Sequence, residues 1–579
     1  MIKAFMETLQ DLAQALWKHY ILGAFLLVAA FTGLNMQLFW FFEQNFFWTD
    51  TDCYLRALRI IDWLSDFQWS EKIFPWTNPP HGFELHWTRA CDIIWATLAA
   101  PFMLIMPLKY AVFYGGILFS PLFFALTVIA LFWGIKSYVP NTPDKYKIFA
   151  VAFLLVLFYL NKLDDTFGFQ RPDHHSLMCF VFSFNIAVIL RNQIHFCPKE
   201  FIYAGIFAGI GMWASSALEG LFVVALILSV LSINWIFYQH PLKNLIYFAT
   251  GLFGAVSLAW LINPPLHGWN IVDINRLSVV HAVLCGLILL SFLILKQLNL
   301  TTKIAKLCGL AIAATISAGL IIGIFGTDSI FVSIYHPLVW EYFVPRIGEM
   351  TSLPFAYEYI GIRHYAILFG ALLIAVILYR HKLKTSYAPD LLVLFFATLI
   401  TAVSVIRFFP YFNVILSVLT ALVLFELMTY PFKSPWFGKF LKFTYIAVPV
   451  AVLTTFLPLQ GATHMPPMQG PALVDLFEAP ELLFNQGVDT VGSPYHTNTE
   501  GIIDNYKMWF SSDEDELKAL LKKHQVRQIY LRLVLFSEFY QDPFHNLDKL
   551  YAKVMLNAEP YPWMEQIGEN HYVINYDKF

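Results

Sequence analysis

Two short runs of ionisable residues in this 579-residue chain have the types and spacing to hold a cation. Asp50-Thr51-Asp52 sets two carboxylates one residue apart, and Arg171-Pro172-Asp173-His174-His175 closes on an Asp-x-His pair. Oxygen ligands suit Mg²⁺, and an added imidazole moves the preference towards Mn²⁺ or Zn²⁺. A third run, Phe83-Glu84-Leu85-His86-Trp87, adds another acid and another imidazole, and Glu341, Glu349 and Glu358 follow much later. Arg407, in Val405-Ile406-Arg407-Phe408-Phe409-Pro410, carries the planar donor set that grips a phosphate bidentately. Each group also has a plainer reading. Asp50 or Asp52 can cap a helix starting near Tyr54, Asp173 can cap one starting at His174, and Arg407 can snorkel to headgroups.

The elements that must position these groups are membrane spans. The chain is 58% hydrophobic and 13% charged, where a soluble domain carries about 25% charged residues. Segments 20–42, 110–134, 148–161, 175–190, 201–216, 218–238, 245–262, 279–296, 307–325, 362–379, 390–406, 411–430 and 443–459 read as spans, about thirteen in all. Segment 90–107 is apolar but interrupted by Pro101 and Pro107, and reads as a surface helix or a further span. Residues 2–17 have helical apolar spacing and read as an amphipathic helix on the bilayer, the chief part of an interfacial segment 1–19.

Charge selects the orientation. With the N-terminus cytoplasmic, Lys and Arg concentrate in the cytoplasmic loops, as the positive-inside rule requires. A membrane region 20–460 then places its long loops 43–109 and 326–361, and the motifs above, on the outer face. The tail 461–579 is polar and reads as a soluble α/β domain outside the membrane, of ordinary domain size. In it, 488–495, 526–534 and 571–576 read as strands, and 501–510, 547–556 and a segment capped at Ser511-Ser512-Asp513 as helices.

Other classes are disfavoured. A net charge of −3 gives no reason to expect nucleic acid. Six cysteines at 53, 91, 179, 197, 285 and 308 form no C-x-x-C pair and read as buried apolar residues, with Cys53 and Cys91 the pair that could meet outside the membrane. No matching pair of interrupted helices marks an inverted-repeat transporter.

With these motifs and this topology, the chain resembles the GT-C class of membrane glycosyltransferases, and within it the catalytic subunit of archaeal and bacterial oligosaccharyltransferases. The family's acidic D-x-D motif after the first span matches Asp50-Thr51-Asp52, and its second motif in the second outer loop matches Asp173-His174-His175. His86 fits the place of an added histidine ligand in archaeal members, Arg346-Ile347-Gly348-Glu349 keeps the Ile-x-Glu core of a fifth-loop motif, and Arg407 sits where a family arginine contacts the lipid phosphate. The family's acceptor-reading W-W-D-Y-G motif is absent.

The resemblance implies a polytopic α-helical GT-C enzyme that moves a sugar or oligosaccharide from a polyprenyl-(di)phosphate donor to an acceptor at the outer face of the inner (cytoplasmic) membrane. Asp52, His86, Asp173 and His175 are the expected ligands of a divalent cation, Mg²⁺ or Mn²⁺ before Zn²⁺. Asp50, Asp52 and Glu349 are the expected catalytic carboxylates, and Arg407 the donor-phosphate contact. The acceptor, whether protein, lipid or glycan, stays open. Two other readings remain at this stage: a transporter or flippase of a lipid-linked or anionic substrate, and a non-catalytic scaffold for envelope assembly.

Overall fold

The computed structural model describes residues 19–43, 48–70, 72–137, 165–327, 336–347, 350, 352, 388–429, 436, 465–532, 548–555 and 559–579. The spans expected at 148–161, 362–379 and 443–459, the interfacial helix, and Glu349 lie outside these residues.

Helix α1 (Tyr20–Glu43) is followed by α2 (Thr51–Asp66), a two-stranded antiparallel hairpin β1 (Ile73–Phe74) and β2 (Phe83–Glu84), and α3 (Arg89–Met103). Next come α4 (Leu108–Lys136), α5 (His174–Ile194), α6 (Glu200–Ala214), α7 (Leu221–Phe237), α8 (Lys243–Ile262), α9 (Val279–Leu298) and α10 (Lys303–Phe325). Short α11 (Pro337–Tyr342) precedes α12 (Ala388–Ser404) and α13 (Phe409–Thr429). Among the described residues, six helices are long and apolar enough to cross a membrane: α4, α5, α7 with its preceding turn, α8, α9 and α10.

The packing of these helices follows from their small residues. Gly205 on α6 and Gly251 on α8 let two backbones meet: a Cβ added at Gly205 would lie 2.0 Å from the Phe248 carbonyl oxygen. Without a hydrophobic drive between helices in lipid, such close contact supplies the attraction. Helix α3 has 15 residues, too few to cross a bilayer, and ends on the exposed Leu104 and Ile105. The expected pair of spans at 201–216 and 218–238 meets at a tight junction. A π-helical turn, Ser216–Gly220, leads straight into α7 and carries Glu219. The expected boundary near residue 217 falls in this turn, and no loop separates the two segments.

The C-terminal part holds β3 (Ala472–Leu473), α14 (Ala479–Gln486), α15 (Thr499–Phe510), α16 (Glu514–Lys523), β4 (Gln528–Tyr530), α17 (Leu550–Met555), β5 (Met564–Gly568) and β6 (His571–Ile574). The four strands form one sheet in the order β3-β4-β6-β5, with β3 and β4 parallel and the other pairs antiparallel. Its core gathers Trp509, Leu517, Leu521, Ile529, Trp563 and Tyr572. Helix α16 is capped by Asp513, whose side chain accepts from the Asp515 and Glu516 backbone N–H groups.

The strand expected over 488–495 does not form. Only Thr490 pairs, bridging Thr77 of the hairpin turn on one side and Ala472 of β3 on the other. Pro494 lacks a donor, and at Gly492 a Cβ would lie 2.7 Å from the Gly501 carbonyl oxygen, so the segment bends across α15 instead of extending. Cys53 and Cys91 are both buried and unpaired.

Candidate metal centre

The first acidic motif begins a helix. Asp50 is the N-cap of α2, in extended backbone, and its Oδ1 accepts from the Asp52 N–H at 3.0 Å. Its Oδ2 accepts from Arg171 Nε at 3.0 Å, which ties the motif to the residues just before α5. The helix therefore starts at Thr51, and Asp52 lies in its first turn.

The second motif begins a helix in the same way. Asp173 is the N-cap of α5 and accepts from the His174 N–H at 2.6 Å. Here the carboxylate is enclosed. Asp173 Oδ1 also meets His174 Nδ1, Oδ2 lies 3.3 Å from His175 Nε2, and Arg56 Nη2 is 3.8 Å from Oδ1. Burial alone would push the Asp173 carboxyl up. The imidazoles of His174 and His175, the His174 hydrogen bond and the Arg56 guanidinium outweigh it and hold the acid well below the usual carboxylate range.

Glu219 completes the cluster from the π-helical turn. It is fully buried, and its Oε1 accepts from Arg407 Nε at 2.7 Å and lies 2.9 Å from His175 Nδ1. Its Oε2 accepts from the Tyr411 hydroxyl at 2.8 Å. Arg407 also reaches His174 Nε2 at 3.1 Å, and it is the partly exposed member of the group, at 21%. The expected metal motif and the expected phosphate arginine thus meet on a carboxylate that the sequence reading left out.

Among the described residues, Asp173, His174 and His175 could hold a metal ion: one ligand atom from each lies within 4.8 Å of the others, and all three are buried. Mixed oxygen and nitrogen donors with adjacent acid and guanidinium groups fit a divalent first-row ion. Asp52 and His86 are not in this trio.

His86 faces the cluster from the loop between β2 and α3. Its ring stacks on Tyr495 at 5.0 Å and lies 4.5 Å from His496, both from the C-terminal part. His86 Nε2 is 3.5 Å from the Tyr495 hydroxyl, and Nδ1 is buried without a hydrogen-bond partner among the described residues. Burial, with the neighbouring His496, Arg276, His174 and Arg407, holds its pKa well below the usual imidazole value.

Tyr495 sits where all these groups converge. Burial pushes its phenol well above the ordinary range; Asp52 and Asp173 push the same way, and Arg56 and Arg407 oppose them. It docks in an apolar cluster with Leu55 of α2, Phe74, Phe83, Leu85 and Trp87. Beneath, Arg56 lies over the Trp87 ring at 4.3 Å and shares Asp92 with Arg59 and Arg89, all buried. Glu84, the other acid of that run, pairs with Arg276 and belongs to a separate ion pair.

Sequence reasoning missed Glu219, Tyr495 and the participation of His174. One signal was present for Glu219: a lone acid inside an apolar span is functional by default. Tyr495 had none, because only the fold brings residue 495 beside residue 86.

No protein-family model matches the chain, and no curated protein matches its sequence. Solved structures do match. The archaeal oligosaccharyltransferase AglB from Archaeoglobus fulgidus, in complex with an inhibitory peptide and a dolichol-phosphate, superposes with a TM-score of 0.61 at 14% identity, over 89% of this chain and 70% of that one. The fold is that of AglB. The same enzyme tethered to an acceptor peptide containing the NVT sequon matches with a TM-score of 0.60 at 14% identity, over 89% and 69% of the two chains. Its complex with Zn and sulfate gives 0.59, at 14% identity over 87% and 67%. With its apolar helices, the likeness to AglB makes this chain a polytopic helical, integral membrane protein, and the resemblance to the GT-C class holds at the level of the fold.

Proposed function

We propose that this protein is a membrane glycosyltransferase that takes a sugar or oligosaccharide from a polyprenyl-phosphate or polyprenyl-diphosphate donor. The observation that carries this reading is that His175 and Arg407 both reach Glu219, and Asp173 lies against His175, at the end of the bundle where α5, α7 and α13 begin. A metal-ligating pair and a phosphate-gripping cation there suit a phosphate leaving group, and the AglB structure with dolichol-phosphate supports the donor class.

In this reading Asp173 and His175 hold a divalent cation, with Asp52 as a further carboxylate and His86 as a further imidazole of the set. When bound, that ion supplies Lewis-acid stabilisation of the charge that grows on the phosphate as the sugar departs. Arg407 contacts the phosphate, held in place by Glu219 and His174. Asp50 caps α2 and so holds the turn that carries Asp52. Asp52 and Glu349 orient or deprotonate the acceptor group. Tyr495 and the buried rings of His86 and Trp87 close the site against water, which keeps the electrostatic interactions strong.

The positive-inside charge bias orients the protein with its N-terminus in the cytoplasm, so the site and the C-terminal α/β part lie on the outer side, as a separate domain from about residue 461. Mass spectrometry of lipid-linked sugars and envelope glycans, with and without the protein, tests the proposal. A donor that accumulates and a product glycan that disappears are expected. Unchanged glycans, with lipid-linked sugar trapped on one leaflet, would point to transport instead.

A further inference from the structure

Beside the Asp173 carboxylate lies a guanidinium that is buried yet held by no hydrogen bond. Arg56, on α2, is 1% exposed, and none of its three side-chain nitrogens has a hydrogen-bond partner among the described residues. Buried donors are ordinarily taken up by an acceptor. Two carboxylates stand near Arg56 instead, at almost equal range. Asp92 Oδ1 is 3.7 Å from Nη1, and Asp173 Oδ1 is 3.8 Å from Nη2, both beyond hydrogen-bond distance.

The two oxygens differ in what else they hold. Asp173 Oδ1 already meets the His174 backbone N–H and His174 Nδ1. Asp92 Oδ1 is buried and has no hydrogen bond among the described residues. The other oxygen of Asp92 lies 3.3 Å from Arg59 Nε and 3.2 Å from Arg89 Nη1. Asp92 therefore turns an unfilled acceptor towards Arg56, and a movement of about 1 Å makes the bond. Trp87 permits that movement. Its ring covers the guanidinium at 4.3 Å, and a cation is attracted to a ring face anywhere within about 6 Å of the centroid.

A divalent cation on Asp173 adds positive charge on one side of Arg56, in buried surroundings where like charges repel strongly. We propose that Arg56 and Asp92 together set the affinity of the metal centre. Arg56 competes with the cation for Asp173, and Asp92 accepts the guanidinium as the cation binds. Neither is a ligand; both are positioning residues that act through Asp173. This rests on the metal-dependent reading above.

The test is Mn²⁺ binding to the full-length protein in detergent, by titration calorimetry, with thermal unfolding as the fold control. A pair that only holds the fold together loses binding whichever member is changed. Here the two changes have opposite signs. Arg56→Gln removes the competing charge and is expected to tighten Mn²⁺ binding by on the order of tenfold, within the range of coupling between contacting residues. Asp92→Asn removes the acceptor, keeps Arg56 on Asp173, and is expected to weaken binding by a similar factor. The double variant is expected to bind like Arg56→Gln alone, because Asp92 acts only through Arg56. Three results overturn the proposal and leave the metal reading intact: unchanged or weaker binding in Arg56→Gln, unchanged or tighter binding in Asp92→Asn, or a double variant that keeps the Asp92→Asn loss. If a variant does not fold, a cryo-electron microscopy structure of the unmodified protein with Mn²⁺ decides. Arg56 Nη1 within about 3 Å of Asp92 Oδ1 supports the exchange, and a separation still near 3.7 Å overturns it. Failure of the unmodified protein to bind Mn²⁺ overturns the metal reading itself, and the proposal with it.

Discussion

The starts of α2 and α5 are built alike and used differently. Each helix opens on an aspartate N-cap whose side chain accepts from a nearby backbone N–H, Asp52 in one and His174 in the other. Asp50 keeps 22% of its side chain exposed and, among the described residues, has Arg171 as its ion-pair partner. Asp173 keeps 4%, and meets two imidazoles and the Arg56 guanidinium. The local sequence chemistry is the same, and burial decides the rest. A carboxylate in partial contact with water is well served by a cap and one ion pair. One removed from water must have its charge matched, and the groups that match it make a cation site.

Breaking each cap in turn sharpens the contrast. Asp173→Ala takes a buried carboxylate away from both imidazoles and from Arg56, which keeps Asp92, and is expected to cost about 3–5 kcal/mol in stability, seen in thermal or denaturant unfolding. The second largest effect is in pH. Burial holds His86 well below the usual imidazole value, and burial with Arg407 and Arg276 brings His496 down to about 4. Both are neutral in the folded chain, so their contribution to stability is complete above the unfolded value of about 6.5 and is lost as pH falls towards 4. The unfolding temperature should drop across that window, and a His86→Phe, His496→Phe double variant should flatten the profile.

Asp50→Ala is smaller. It removes a cap worth about 1 kcal/mol and an ion pair worth at most about another. Arg171→Ala is the smallest of these, about 1 kcal/mol or less on the Asp50 side, because it leaves the cap in place and the ion pair is in partial contact with water. A cost for Asp50→Ala equal to that of Asp173→Ala would erase the distinction between the two regions.

Much of this was legible in the chain. Apolar run length gave α4, α5, α8, α9 and α10 to within a few residues, because a bilayer imposes a minimum length that composition reveals. Asp173, His175 and Arg407 stood out as ionisable residues at span ends, where lipid makes them costly. What the chain hid depended on contact across long separations. Glu219 matters through residues 175, 407 and 411, and Tyr495 through residues 86 and 87. Thr490 resembled part of a strand because Val488 to Tyr495 is rich in β-formers, yet its two neighbouring backbones come from β3 and from the loop before β2.

The central claim is sugar transfer that depends on a metal held at Asp173 and His175. Its most direct test is product formation by the purified full-length protein in proteoliposomes containing polyprenyl-linked sugar and an envelope acceptor extract, followed by mass spectrometry with and without chelator. The account predicts transfer in Mn²⁺, loss of transfer in chelator, recovery when Mn²⁺ is restored, and none for a folded Asp173→Asn variant. Undiminished transfer in chelator, or by Asp173→Asn, would contradict it.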